Sequence, residues 1–148
     1  MEVYRITLAK YAKQLIAPGS EARWNSRGYF VIYTAGSRAL ASLENLVHRD
    51  SEGLKSLFKV IVISLPDEIG IAEISIKGLS ENWTKSNNLY LTRQIGNTWL
   101  TSLSSCVLKV PSAVIKGEFN FLINPAHPSF STIKIESLEE FEFDSRLK

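Results

Sequence analysis

Polar and apolar positions alternate with period two from Val3 to Leu8, where Val3, Arg5 and Thr7 interleave with Tyr4, Ile6 and Leu8. That spacing predicts a strand with Arg5 and Tyr4 on opposite faces. Pro18-Gly19-Ser20 breaks the chain, Glu21 to Gly28 reads as an irregular loop, and a second strand is expected from Tyr29 to Thr34. Ser37 is placed to cap a helix running to about His48. Its hydroxyl can accept from the free amides of the first turn, and Leu40, Leu43 and Val47 then form one apolar stripe. Gly53 closes that region. Ser56 to Leu65 is almost continuously apolar, as a central strand covered on both faces would be, and Pro66 stops it.

Further along, Ile71 to Ile76 predicts a shorter strand, and Asn87 or Asn88 opens a helix through Leu91, Ile95, Trp99 and Leu103. Cys106 to Val110, Phe119 to Ile123 and Thr132 to Ile135 have strand composition, the last two flanking a turn at Asn124-Pro125-Ala126-His127-Pro128. Several short strands, clustered late, with two helices predict a single α+β domain over residues 1–148. Its sheet is expected to be mixed or mostly antiparallel, not doubly wound.

Composition narrows the class. A chain of 148 residues, 45% hydrophobic and 22% charged, buries roughly two-thirds of its unfolded surface and needs no disulfide or metal to hold a core. Cys106 has no second cysteine to bridge and reads as a small buried side chain within its apolar strand, not a nucleophile. No run approaches the ~18 apolar residues of a membrane-spanning helix and no signal-peptide core opens the chain, so a soluble, cytoplasmic protein is expected. The Asn82-Trp83-Thr84 triplet matches a glycosylation acceptor by pattern alone. The net charge of +2 divides into −3 on the last thirteen residues and +5 on the remainder. That excess is mild: it suits a polyphosphate ligand, and equally a protein that binds nothing anionic.

Common catalytic signatures are missing. The sequence has no phosphate-binding Gly-Lys-Ser/Thr loop, no paired-His metalloprotease helix, no dinucleotide glycine fingerprint and no cysteine-rich zinc spacing. His48 and His127 are too few for a metal site and read as surface or capping residues. Glu44 is more informative. At ~100° per residue it lies at the edge of the inward stripe of its helix, beside Leu40 and Val47, where a carboxylate is costly unless it is paired or faces a cleft. Two readings stand: a rim glutamate snorkelling outward or salt-bridged to Arg38 or Arg49, or a ligand-site carboxylate with Arg5 and Arg23 as its cationic complement.

Taken in order, Tyr4-Arg5-Ile6, Arg23-Trp24-Asn25, Tyr33-Thr34-Ala35, Ser37 through Glu44 and His48, Val110-Pro111-Ser112 and Asn124-Pro125-Ala126-His127 resemble the RES domain. This family is named for its Arg, Glu and Ser residues, and its members are toxins of bacterial toxin–antitoxin pairs. The resemblance covers essentially the whole chain. It implies an ADP-ribosyltransferase-like fold that binds NAD in a cleft and breaks the nicotinamide–ribose bond. Glu44, Arg23 and Tyr33 are then the catalytic residues, with Glu44 opposing the positive charge that develops on the ribose. NAD is bound by Arg5, Arg23, Tyr33, Ser112 and Asn124, the two arginines on the pyrophosphate. Tyr33 stacks on or hydrogen-bonds the nicotinamide ribose end, and Ser112 offers a hydroxyl to the ligand or to a catalytic neighbour. Trp24 and Asn25 shape the arginine loop.

The function so implied is the toxin of a type II pair that depletes NAD by hydrolysis or phosphorolysis. Transfer of ADP-ribose to a host protein is the alternative within the same chemistry. A non-catalytic nucleic-acid or protein binding module is the alternative of another class, although the clustered basic stripe and exposed aromatic runs of such a module are lacking. No cofactor beyond NAD as substrate and no metal is expected, nor any membrane contact or direct nucleic-acid binding by this chain. The implied partner is an antitoxin with an Xre-type helix-turn-helix region that plugs the cleft, and a homo-oligomer within that complex is left open.

Overall fold

Residues 1–48 and 57–147 are described by the structure, a computed structural model of the chain. Seven strands are present among them: β1 (Glu2–Leu8), β2 (Ile32–Ala35), β3 (Phe58–Ser64), β4 (Ile71–Glu73), β5 (Val107–Pro111), β6 (Phe119–Ile123) and β7 (Lys134–Phe141). Two helices, α1 (Arg38–Val47) and α2 (Tyr90–Ser102), accompany them. The strands form one sheet in the order β4-β5-β6-β2-β1-β3-β7. The β4–β5 pair is parallel and the others antiparallel, which makes this the mixed sheet expected of an α+β fold.

The join at the middle of this sheet is short. β1 runs in register with β3 from Glu2↔Ser64 to Leu8↔Phe58, and β2 with β6 from Ile32↔Ile123 to Ala35↔Asn120, but β1 and β2 meet only at Tyr4↔Ala35. Beyond that pair the strands part. Side chains serve the carbonyls in the split: Arg5 donates to Tyr33 O at 2.9 Å and Asn45 Nδ2 to Ile6 O at 3.1 Å. The sheet is therefore two halves hinged at one residue pair.

Both helices cover the same face. Leu40 and Ala41 of α1 pack with Ile6, Ala35, Val60 and Val62, while Trp99 and Leu100 of α2 pack with Leu108, Val110 and Leu122. Ala35 and Val110 stand in register on either side of Asn120, so these clusters share one side of the sheet. The other face is closed without a long helix, by Ala12, Leu15 and Ala17 of the irregular segment after β1 together with Leu65, Phe130 and Ile133.

Most expected elements form, with several corrections. Ser37 caps α1, its Oγ accepting from Leu40 N at 3.1 Å. The stripe ends differently: Val47 is 60% exposed, and Leu46 packs inward in its place. β2 begins at Ile32 and not at Tyr29, because the Tyr29 carbonyl is held by Asn25 Nδ2 in the preceding loop. Neither Asn87 nor Asn88 caps α2. The residue before it is Leu89, with no side-chain cap, and Asn88 Nδ2 turns back to Ser80 Oγ and Asn82 O. Leu103 lies beyond the end of α2 in the left-handed region (φ 56°) and is 45% exposed. β3 is buried on both faces as expected, yet it stands next to the edge of the sheet. The strand expected at Thr132 to Ile135 starts at Lys134 and extends to Phe141, its charged Glu136, Glu139 and Glu140 belonging to an edge strand. Arg49, Gly53 and Ser56 lie outside the described residues.

One stripe of α2 is shaped to hold the loop at 22–26. Thr92 Oγ1 donates to Arg23 O, Arg93 Nε to Ala22 O and Asn97 Nδ2 to Ser26 Oγ. Between them Gly96 lets the Trp24 carbonyl come so close that a Cβ added there would stand 1.6 Å from its oxygen. Replacing a helical glycine by alanine ordinarily stabilises by about 0.5–1 kcal/mol. Here the sign reverses. Gly96→Ala should cost about 3 kcal/mol or more, on the order of a 10 °C fall in melting temperature. Thermal unfolding followed by circular dichroism checks this, and a variant as stable as the parent would show that α2 and the loop do not touch in solution.

Candidate functional site

The parted strands open a cleft of about 1230 Å³. Its walls come from β1 (Tyr4 to Leu8), β2 (Tyr33 to Ala35), α1 (Ala41, Glu44, Asn45, Val47, and His48 just beyond it), the loop at Ser20 to Trp24, and the segment carrying Thr84 and Ser86. Because the ladder is broken, residues from both faces of β1 reach the same space. Arg5 shares its face with Val3 and Ile61 by register, yet its guanidinium turns into the split to meet the Tyr33 carbonyl.

Two arginines face this cleft without an ion pair among the described residues. Arg5 is largely buried, and burial pulls its pKa below the ordinary arginine value. Arg23 is shifted in the same direction, mainly by burial, with Glu44 and Tyr33 acting against the shift and Arg93 adding to it. Its Nη1 donates to Trp83 O and its Nη2 to Thr84 O (2.9 Å), and its plane lies 5.7 Å from the Trp83 ring. A guanidinium has five N–H donors. Among the described residues the hydrogen bonds of these two arginines go to carbonyls alone, which leaves charge and several donors for an anion.

Glu44 projects from α1 toward β5. Ser112 Oγ donates to its Oε1 at 3.0 Å and accepts from Val114 N (3.0 Å) and Ile115 N (3.1 Å). A hydroxyl has one donor and two lone pairs, so both lone pairs are taken by amides and the proton is aimed at Glu44. Ser112 therefore acts at once as a turn cap and as the clamp on the carboxylate. His48 Nε2 stands 3.9 Å from Oε2, one helical turn on. The pairing of Glu44 with Arg38 expected of a surface residue does not occur: Arg38 instead makes a two-pronged pair with Glu139 and lies over the Tyr4 ring.

Tyr33 is committed to the loop. Its hydroxyl donates to Asn25 Oδ1 and accepts from Trp24 N at 3.1 Å, and burial raises its pKa well above the ordinary tyrosine value. Asn25, 1% exposed, answers with its amide on Ser20 O, Ser26 O and Tyr29 O. Trp24 and Asn25 thus shape the arginine loop, as expected of them. Asn124 is not brought to the cleft: it is 2% exposed, and its side chain joins Leu100 O to Ala126 N near the end of α2. It follows Ile123, the last residue of β6, and is not among the residues that line the cleft. Cys106 is buried and its thiol is pushed up to about 11 by desolvation, so it stays a protonated core group. His127 caps the turn at Pro128–Thr132 through Nδ1, accepting from Ser129 N. No group of three or more His, Cys, Asp or Glu side chains able to hold a metal stands among the described residues, and no helix there is long and apolar enough to cross a membrane.

One feature of the cleft and one beside it had no signal in the sequence. Asn45 Oδ1 is buried without a hydrogen-bond partner among the described residues, while its Nδ2 is tied to Ile6 O. Trp83 sits in a turn-rich segment far from Arg23 in sequence, with an acceptable glycosylation pattern as its only mark.

A model of the RES domain family matches residues 2–144 of the chain. A protein of Yersinia enterocolitica serotype O:8 named "Toxin Res" is 38% identical over 154 residues, covering all of both chains. A "Prs ADP-ribosylating toxin" of Sphingobium sp. (strain YBL2) is 37% identical over 127 residues, 84% of this chain and 79% of that protein. The fold is similar to that in a crystal structure of the M. tuberculosis MbcT–MbcA toxin–antitoxin complex, with a TM-score of 0.78 at 15% identity over 95% of this chain and 84% of that one.

The amide of Asn25 holds three carbonyls at once, so an acceptor in its place has no partner. Asn25→Asp, nearly identical in shape, should destabilise the protein by about 3 kcal/mol at neutral pH. Urea unfolding measures this, and an unchanged midpoint would mean that the arginine loop is not held by this side chain.

Proposed function

The chain belongs to the RES domain family, and from that premise we propose that it is the toxin of a toxin–antitoxin pair and consumes NAD by breaking the nicotinamide–ribose bond. The observation that carries the reading is the convergence on one cleft of two arginines, Arg5 and Arg23, without ion pairs among the described residues, and a carboxylate, Glu44, clamped by Ser112. A dinucleotide offers matching groups: a doubly charged pyrophosphate for the guanidinium forks and a ribose whose reacting carbon becomes positive.

The chemistry follows from the residues. As the C–N bond breaks, its electron pair leaves with nicotinamide and neutralises the pyridinium, while positive charge builds on the ribose ring. Glu44 is a fixed negative charge that interacts more strongly with that transition state than with the ground state. Ser112 removes the need to orient it during the reaction, since the carboxylate is already clamped. The Arg23 loop, braced by Asn25 and Tyr33, presents its donors preorganised. The Tyr33 hydroxyl has its proton on Asn25, so Tyr33 contributes its ring and one remaining lone pair to the cleft and not a mobile proton. An oxygen nucleophile, from water or phosphate, then bonds to the ribose carbon and loses its proton. Ser112 acts through Glu44 in this scheme, and Asn124 has no part in it.

Transfer of the ADP-ribosyl group to a protein is the second reading, supported by the name of the Sphingobium relative. An antitoxin that covers the cleft, and a cytoplasmic site of action, belong to the same proposal. The MbcT–MbcA complex supports the existence of such a partner.

Purified protein free of antitoxin should release nicotinamide from NAD, with water or with phosphate present, and Glu44→Gln should lower the rate by about 100-fold with a much smaller change in NAD affinity. Chromatography of the small products measures this. Folded protein that leaves NAD untouched would rule out hydrolysis and phosphorolysis, and label appearing on a protein from radiolabelled NAD would select the second reading. In the same assay Arg23→Lys, which keeps the charge but loses the planar fork, should weaken NAD binding. Parent-like affinity would show that Arg23 does not meet the pyrophosphate, since a solvent-exposed arginine tolerates that change.

A further inference from the structure

Arg23 is held from beneath by a residue that the reaction itself does not involve. The turn-rich segment between Ser80 and Asn88 crosses to the cleft and places Thr84 and Ser86 on its wall. Trp83, 6% exposed, anchors it in the cluster of Trp24, Trp99, Leu108 and Leu122, with its ring tilted at 48° to Trp24 and 6.1 Å from it. Trp83 meets Arg23 twice: the ring lies under the guanidinium at 5.7 Å, and the carbonyl accepts from Nη1. The next carbonyl, Thr84 O, takes Nη2 at 2.9 Å. Since the other guanidinium hydrogens have no partner in the loop, ring and carbonyls together fix the plane of the fork and leave its remaining donors directed elsewhere.

We propose that Trp83 is the positioning residue for Arg23, its ring face and carbonyl setting the guanidinium plane toward the diphosphate of the substrate. The inference rests on the NAD-consuming reading and adds to it a residue outside the cleft lining. A half-buried guanidinium that Glu44 influences only from beyond ion-pair distance, with no carboxylate paired to it among the described residues, needs a polarisable face and carbonyl oxygens to remain oriented, and Trp83 supplies both. The same anchor keeps Thr84 and Ser86 at the wall, so arginine and wall move as one piece.

A double-mutant cycle tests this, read as NAD affinity by calorimetry in the Glu44→Gln background so that ligand survives, with thermal melting of each protein alongside. Trp83→Leu should weaken NAD binding by about tenfold, and Trp83→Phe, which keeps an aromatic face, should recover most of it. In an Arg23→Ala background, Trp83→Leu should cause no further loss, because its effect runs through the arginine. If Trp83→Leu does not fold, Trp83→Phe carries the same cycle with an effect of about two- to threefold. Parent-like affinity in the Trp83 variants, or a loss that persists undiminished in the Arg23→Ala background, overturns the proposal and makes Trp83 a core residue only. Failure of the wider reading looks different: there the folded Glu44→Gln protein binds no NAD before Trp83 is touched.

Discussion

The cleft exists because β1 and β2 stop pairing after Tyr4↔Ala35. An open split in a sheet exposes backbone carbonyls, and burying them unpaired costs about 1–3 kcal/mol each. This protein meets that cost with side chains. Arg5 reaches across to the Tyr33 carbonyl and Asn45 drops from α1 onto the Ile6 carbonyl, so the strands are held apart at a fixed width and not merely left separate. The same two residues that stabilise the gap also line it. On the proposed function, structural satisfaction and ligand recognition fall together on Arg5, since a guanidinium with five donors can serve both.

From that split the rest of the site is built by fixing two mobile things, a loop and a carboxylate. The loop is fixed on three sides: by the α2 stripe of Thr92, Arg93, Gly96 and Asn97, by the Tyr33–Asn25 pair, and by Trp83 beneath Arg23. The carboxylate is fixed by one hydroxyl whose lone pairs are already taken. Neither device adds a group that reacts. On the proposed function, both remove the reorganisation that a loop arginine and a helix-edge glutamate would otherwise undergo as charge moves in the cleft.

Much of this was legible in the order of residues. Period-two alternation in Val3 to Leu8, the Ser37 cap and the apolar run before Leu65 are local signals. Each is set by the backbone and its immediate neighbours, and each element formed. Glu44 at the edge of an inward stripe announced a carboxylate with a reason to be there. The errors have physical causes. The expected start of β2 at Tyr29 failed because Asn25, four residues upstream, takes the Tyr29 carbonyl. Acidic residues hid β7, since strand composition cannot show that Glu136, Glu139 and Glu140 lie on a sheet edge. Asn124 followed the order of the resembled family but not its own hydrogen bonds, which lead to Leu100 and Ala126.

By itself the sequence determined the class of fold, the helix that carries Glu44 and the residue types on which a dinucleotide would depend. The fold class and the helix follow from spacing and from the cost of burying charge, which act over a few residues, whereas the dinucleotide is what the resemblance to the RES domain implies. Tertiary structure alone decided which of them share a space: whether Arg5 on a strand, Arg23 in a loop and Glu44 on a helix face one cleft, whether Ser112 meets Glu44, and whether Trp83 meets Arg23. Arg23 and Trp83 are 60 residues apart, and Glu44 and Ser112 are 68. Contacts of that separation depend on where a whole sheet breaks its pairing, and no local pattern in the chain records it.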